Sequence, residues 1–421
     1  MLAYLLVEAV LFALLTAWVF KPEWGNWLGG VGAIVLTLFA ALRFETGYDW
    51  LAYETYYETV VDLRDLCGTW GSGVSLLVEP LFNVLSVGVK SAGGDVQSLF
   101  FIIAIFNMAM IYAVTRKISN AQPLMWIVYL GFAYLIAQFA VLRQAVASGF
   151  VLVALYYAAS DRRICTWSAL VLSLGFHVSA AVFAPILLLH KWLPSWKLVV
   201  PFLAFGATLA LLSIDLVRPA IGLVLDYLPS WFALKLAFYE HVDLAPVSVA
   251  ALGLVGLHLT VLAAFYLCTT KDEKRDPFII IAVWLTILLL TSHLYLAGFP
   301  SFWNRFMMVS LPWQISALFR IRRLVELTII PRAGIALALT IFSIGALSYT
   351  LAKPSSLPFI PYDSVIHQAL GYDANGRERL RAAILLFDEY QSDLKTVDTS
   401  TVAAGLLDGI VKGLCGAQTD R

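Results

Sequence analysis

"WLGGVGAIVLTLFAALRFETGYDWLAYETYYE" (Trp27–Glu58) opens as an apolar run and turns, at Arg43, into a loop dense in acids and tyrosines. At 1.5 Å per residue, residues 27–42 are long enough to cross most of a bilayer's hydrocarbon core as a helix. The loop then places an arginine at the lipid boundary, where a lone cation costs a few kcal/mol. A membrane-crossing helix with polar residues gathered at its end is the pattern to look for elsewhere in the chain.

The composition agrees. The 421 residues are 61% hydrophobic and 13% charged, with a mean hydropathy of +0.83. A soluble domain is about 45–50% apolar and about 25% charged. The expected fold class is therefore an all-α polytopic integral membrane protein. Candidate spans are 2–20, 27–42, 98–115, 122–140, 145–160, 198–216, 247–268, 277–296, 303–319 and 334–352. Two further regions are interrupted: 74–92 by Glu79-Pro80 and Lys90, and 164–190 by "GFHVS" around His177. With these the count is about ten to twelve transmembrane helices, including re-entrant or interfacial ones. The first twenty residues lack a basic leader and a small-residue cleavage site, so they read as a retained span. The expected organisation is a transmembrane domain over 1–352, with extracytoplasmic loops at 43–97, 217–246 and 297–303, and a polar extracytoplasmic tail over 353–421.

Basic residues give the orientation, because cytoplasmic loops retain Lys and Arg. Arg116-Lys117, Arg162-Arg163, Lys271 with Lys274-Arg275, and Arg320 with Arg322-Arg323 belong inside. Arg43, Arg143 and Arg305 then fall at the outer ends of spans, against the positive-inside rule. This parity requires that 74–92 not cross fully. It is also met if 164–176 and 178–190 form a shallow hairpin with His177 at its outer tip, or if 164–190 is one broken span paired with another at 219–236. The hairpin is preferred on charge, although each arm is short.

Each outward arginine has a bland explanation, snorkelling to headgroups or pairing with Glu45, Asp49 or Glu79. Three on one face point further. Guanidinium offers a bidentate fork and a permanent charge, the best side-chain match to phosphate. Arg143 and Gln144 open a helix whose Ala147, Ser148 and Gly149 permit close packing. Tyr48, Trp50, Tyr53, Tyr56 and Tyr57 read as an interfacial belt or, for Tyr53, as a platform for sugar. Glu79-Pro80 reads as a helix start. His177 reads as a packed histidine or a site residue. The remaining histidines (His190, His241, His258, His293, His367) have no metal-ligand spacing, and Cys67, Cys165, Cys268 and Cys415 form no metal-type or redox-type pair. No metal or cofactor is expected, and a net charge of zero gives no basic field for nucleic acid.

In chain order, "RFETGYDWLAY", "EPLFNVL", "LRQAVASG", "LGFHVSA" and "FPSFWNRF" resemble the motifs of the EpsG-type Wzy family of bacterial polysaccharide polymerases. The resemblance covers roughly 40–310, with "PFIPYDSV" similar to the family's C-terminal end. Tyr48 stands where a small hydroxylic residue would be expected, and 372–421 lies outside the likeness. The resemblance implies a GT-C-like glycosyltransferase of the bacterial inner membrane, with its active site facing the periplasm. Its substrate would be undecaprenyl-pyrophosphate-linked oligosaccharide, with membrane lipid, a chain-length regulator and a flippase as candidate partners. On that basis Arg143 and Arg305, supported by Arg43, are expected to bind pyrophosphate, with Gln144 alongside. Asp49, Glu79 or His177 is expected to act as base, Asp49 first because its loop is polar and extracytoplasmic. Tyr53, Tyr239 and Tyr362 are expected to contact sugar. An O-antigen ligase and a transporter or flippase of lipid-linked sugars are the alternatives.

Overall fold

The computed structural model describes residues 2–61, 78–212, 214–215, 219, 223, 249–296 and 300–388. The described residues are helical, with no sheet; the only extended pairing among them is an isolated bridge between Arg43 and Ser364. In chain order the main helices are α1 (Leu2–Phe20), α2 (Gly25–Ala41), α3 (Trp50–Thr59), α4 (Pro80–Ser91), α5 (Val96–Thr115) and α6 (Gln122–Phe139). There follow α7 (Leu142–Ala159), α8 (Arg163–Phe176), α9 (Val178–Leu189), α10 (Trp196–Leu211) and α11 (Val249–Cys268). The last are α12 (Pro277–Tyr295), α13 (Pro300–Leu318), α14 (Ile329–Leu351), α15 (Val365–Ala369) and α16 (Gly376–Asp388).

Among the described residues seven helices are long and apolar enough to cross a membrane: α1, α2 with the turn before it, α5, α6, α7, α12 and α14. α8, α9, α10 and Leu252–Cys268 of α11 are shorter apolar helices. This is a multi-pass membrane protein by helix composition. Its centre is α6, 89% of whose apolar window is buried, against 33% for α1 and 28% for α14. Polar side chains tie α6 to α2 through backbone carbonyls. Trp126 Nε1 donates to Gly29 O at 2.7 Å and the Tyr134 hydroxyl donates to Leu36 O at 2.5 Å. Such bonds average about 0.6 kcal/mol inside membranes, so they fix register more than they add stability.

The basic clusters gather at one end. Arg320 Nε bonds Asp276 Oδ2 at 2.8 Å and Arg320 Nη1 reaches Ile118 O at 3.3 Å. Arg322 N donates to Glu273 Oε1 at 2.7 Å, and Lys117 Nζ lies 4.9 Å from the Tyr156 ring. Arg143 and Arg305 open α7 and α13, helices that end near those clusters, so they lie at the opposite end of the bundle.

Both interrupted regions follow from local sequence. Pro80 starts α4, a 12-residue helix too short to cross. Lys90 Nζ, near its far end, bonds the carbonyls of Tyr57 and Glu58 on α3 at 3.0 and 3.2 Å. α3 and α4 thus lie together as a layer over the arginine end. At 164–190, α8 climbs to His177, whose extended backbone (φ −162°, ψ 127°) breaks the helix. The chain then returns along α9 to Lys191, which pairs with Asp161 at the foot of α8. The two feet are side by side, so 164–190 is a hairpin with His177 at its tip. Its first six returning residues are a 3-10 helix. At about 2.0 Å per residue this covers more distance than an α-helix and lets a short arm match α8.

The segment after residue 352 folds back over the same end. Phe44 N donates to Asp363 O at 2.8 Å, Val365 N to Leu42 O at 2.9 Å, and the Tyr4 hydroxyl to Phe359 O at 2.7 Å. A second apolar cluster forms there from Trp50, Tyr53 and Tyr57 of α3, Phe82 of α4, Phe100 of α5 and Leu380 of α16.

Candidate functional site

The site begins with the turn after α2. Gly47 adopts φ +112°, a region closed to most L-residues, and its N–H donates to Pro358 O at 2.8 Å. A Cβ there would lie 2.0 Å from Phe139 O. We expect Gly47→Ala to cost at least about 1–3 kcal/mol from the backbone conformation alone. Thermal unfolding of the purified protein in detergent, compared with wild type, checks this.

This turn delivers Asp49 to the N-cap position of α3, where an aspartate ordinarily accepts from the first-turn N–H groups. Asp49 makes no such cap bond. Its carboxylate lies instead where Arg143, Arg305 and Arg43 all act on it. Burial pushes its carboxyl above the usual carboxylate range, outweighing the lowering by the three arginines, of which Arg143 contributes most. Arginines separated by up to 262 positions in the sequence therefore lie within electrostatic reach of one carboxylate.

Arg143 sits in the first turn of α7, where the helix dipole disfavours a cation, and a carboxylate holds it there. Its Nη1 bonds Glu79 Oε2 at 2.5 Å. Glu79 is the N-cap of α4 but, like Asp49, makes no cap bond with its side chain. Plain capping therefore explains neither acid. The backbone N–H of Arg143 also donates to the Tyr53 hydroxyl at 3.4 Å, and its guanidinium bonds the same hydroxyl. Burial pushes the Tyr53 phenol up to about 12, so it stays neutral.

His177 closes the group. Its Nδ1 accepts from Ser179 N–H at 3.1 Å and lies 2.8 Å from Ser179 Oγ. A backbone N–H only donates, so the neutral ring carries its proton on Nε2, which lies 4.0 Å from Glu79 Oε1. The hairpin tip thereby joins Glu79, Arg143 and Tyr53 in one polar chain.

The other expected residues have different settings. Arg43 is 2% exposed, with its guanidinium 4.8 Å from the Phe100 ring and 4.9 Å from the Phe139 ring. It acts on Asp49 from beneath the loop, held by cation–π contacts rather than an ion pair. Arg305 is half-buried on α13 and, among the described residues, forms no ion pair or hydrogen bond. Gln144 is buried beside Arg143 on α7. Tyr362 stacks on Phe39 with ring centres 4.4 Å apart and donates to Phe39 O at 2.7 Å, a packing role. Tyr48 packs edge-on against Phe359. Tyr239 lies outside the described residues, as does most of 217–246.

The EpsG family's sequence profile matches residues 26–364, from the start of α2 to Ser364. The chain belongs to the EpsG family. No curated protein matches it, and no solved structure does. The EpsG family is associated with exopolysaccharide synthesis. In this EpsG-family chain the matched region contains Arg43, Asp49, Glu79, Arg143, His177 and Arg305.

Sequence reasoning missed Gln97, whose Nε2 bonds Ala41 O at 2.9 Å and Arg43 O at 3.0 Å and so anchors the turn to α5. It lies in "GGDVQS" (93–98), a turn with Asp95 and Ser98 near the start of α5. Asp95 is the N-cap of α5, accepting from Ser98 N at 2.8 Å. Asp363, within "PFIPYDSV", and Arg377 and Arg379 were missed as well. They carry no local signature, because their partners lie more than 300 residues away or on an irregular turn.

Proposed function

We propose that the chain polymerises undecaprenyl-pyrophosphate-linked oligosaccharide repeats at the periplasmic face of a bacterial inner membrane. It acts as a glycosyltransferase of GT-C type. The observation that carries this is the approach of Arg143, Arg305 and Arg43 to the single carboxylate of Asp49 at one end of the bundle. Cations fit the leaving group, a lipid pyrophosphate, and the carboxylate fits a base for the acceptor hydroxyl.

In the proposed step the bond between the donor's anomeric carbon and a pyrophosphate oxygen breaks, and its electron pair leaves with that oxygen. Arg143 and Arg305 bind the departing anion, where charge grows most in the transition state. Arg43 supports them through the field it contributes from beneath. An acceptor hydroxyl attacks the oxocarbenium-like carbon and passes its proton to Asp49. Asp49 suits the base role better than Glu79, because Glu79 is engaged with Arg143 at 2.5 Å while burial raises the basicity of Asp49. Glu79 and His177 orient Arg143. Tyr53, Gln144 and Tyr239 remain the residues proposed to contact the sugar and pyrophosphate.

Purified protein incubated with lipid-linked repeats in detergent tests the reading. Products longer than one repeat support it. A flippase would make none, and a ligase would transfer repeats only when lipid A-core acceptor is supplied. The polar residues cluster at one end rather than at a midplane between repeated halves, which favours surface catalysis over alternating access.

A further inference from the structure

The family match ends at residue 364, yet α16 reaches back from Gly376 into the loop that carries Asp49. Arg379 is 8% exposed and binds three acceptors. Its Nη2 meets Asp363 Oδ2 at 2.5 Å and Glu45 O at 3.4 Å, and its Nη1 donates to Pro361 O at 2.5 Å. Arg377 Nη2 pairs with Glu54 Oε2 on α3 at 2.6 Å, and its Nε lies 3.4 Å from Glu45 Oε1. The same guanidinium lies 5.5 Å from the Trp50 ring, next to Asp49. Gly376 lies so close that a Cβ would sit 2.1 Å from Glu45 O. Leu380 is buried in the cluster that holds Trp50 and Tyr53.

Glu45 explains why such a grip is needed. It sits at φ +45°, a left-handed conformation that a non-glycine residue keeps only when its surroundings enforce it. Both its carbonyl and its carboxylate are held by α16, four residues before Asp49.

We propose that α16 is a strap, and that Arg377 and Arg379 are positioning residues that hold the Arg43–Trp50 loop so that Asp49 faces Arg143 and Arg305. The part of the proposal that concerns turnover rests on the polymerase reading above. The strap itself does not. The strap is an addition to the family-matched region, made by a helix that contacts no reacting group.

Two readouts on the full-length protein test it, using Arg377→Ala and Arg379→Ala. Arg377 is half exposed, so its variant carries little risk of misfolding. Hydrogen–deuterium exchange in lipid nanodiscs is expected to rise in peptides covering 42–54 and to stay at the wild-type level in α6 and α12. Unchanged exchange at 42–54 in both variants overturns the strap. With lipid-linked repeats, kcat is expected to fall about a hundredfold, as for a catalytic group displaced by about 1 Å, with KM nearly unchanged. The charge-reversed pair Arg377→Glu with Glu54→Arg is expected to recover much of the loss of Arg377→Glu alone. A rise in KM at unchanged kcat, or full turnover despite faster exchange, overturns the positioning role. If wild type makes no longer glycans, the polymerase reading fails, while the exchange result still decides the strap.

Discussion

Arg143→Ala is expected to lower polymerisation by about a hundred- to a thousandfold, the usual cost of removing one donor aimed at developing negative charge. The loss has two sources that can be separated. Glu79 is left without the cation it meets at 2.5 Å, and its side chain is only 10% exposed. Stranding one partner of a fully buried pair costs about 3–5 kcal/mol. Here the arginine side chain is 28% exposed, so solvent reduces the penalty. The double variant Glu79→Gln/Arg143→Ala removes the stranded charge and is expected to restore protein level without restoring activity. Arg143→Lys keeps a cation but loses the planar fork that serves Glu79, Tyr53 and a pyrophosphate together. Its expected activity lies between that of wild type and that of Arg143→Ala. Glycan length on gels, normalised to membrane protein level, reads all three. Full polymerisation by Arg143→Ala would remove the pyrophosphate assignment.

Asp49→Asn is expected to reduce kcat by about a hundred- to ten-thousandfold, the range for loss of a general base. The amide keeps the size of the side chain and the packing of α3, so the folded level should hold. The pH profile gives a sharper check. A base works only when ionised, so activity should fall as pH drops through the pKa of Asp49. Burial raises that pKa, and the opposing pull of Arg143, Arg305 and Arg43 does not cancel it. The acid limb should therefore lie above the ordinary aspartate value of about 3.9. In Asp49→Asn the residual activity should lose that limb. A limb unchanged in Asp49→Asn would assign the titration to another group, Glu79 or His177 first.

Much of the architecture was legible in the chain. Hydropathy gave an all-helical membrane protein, because continuous apolar runs of nearly twenty residues satisfy their backbone groups in lipid as helices, whereas barrel strands are shorter and alternate. Charge parity placed Arg43, Arg143 and Arg305 at one end and required 74–92 not to cross. Pro80 stops that region from forming a long helix, and α4 runs only Pro80–Ser91. The hairpin at 164–190 was one of two solutions on charge. The pairing of Lys191 with Asp161 selects it, a contact that sequence spacing does not reveal.

The candidate site was legible as a set of residue types but not as an arrangement. The positive-inside rule set Arg43, Arg143 and Arg305 apart alike, and the resemblance gave Arg43 only a supporting role beside the other two. In the fold Arg43 is buried between Phe100 and Phe139, while Arg143 is held by Glu79. Glu79-Pro80 starts α4 as its sequence indicates, but the Glu79 carboxylate makes no cap bond with that helix and meets Arg143 instead. Tyr362 is expected, from the resemblance, to contact sugar; in the fold its hydroxyl and ring both face Phe39.

The sequence by itself determined what periodicity, composition and charge encode locally. These are the apolar helices, the end at which the polar motifs collect, and the arginines whose guanidinium groups match phosphate. Only the tertiary structure decided which side chains share a neighbour. Asp49 and Arg305 are 256 positions apart, and Glu45 and Arg379 are 334 apart. Such pairs meet because packing the apolar faces of the helices against α6 fixes where every helix end lies. That outcome belongs to the whole bundle and to no single stretch of it.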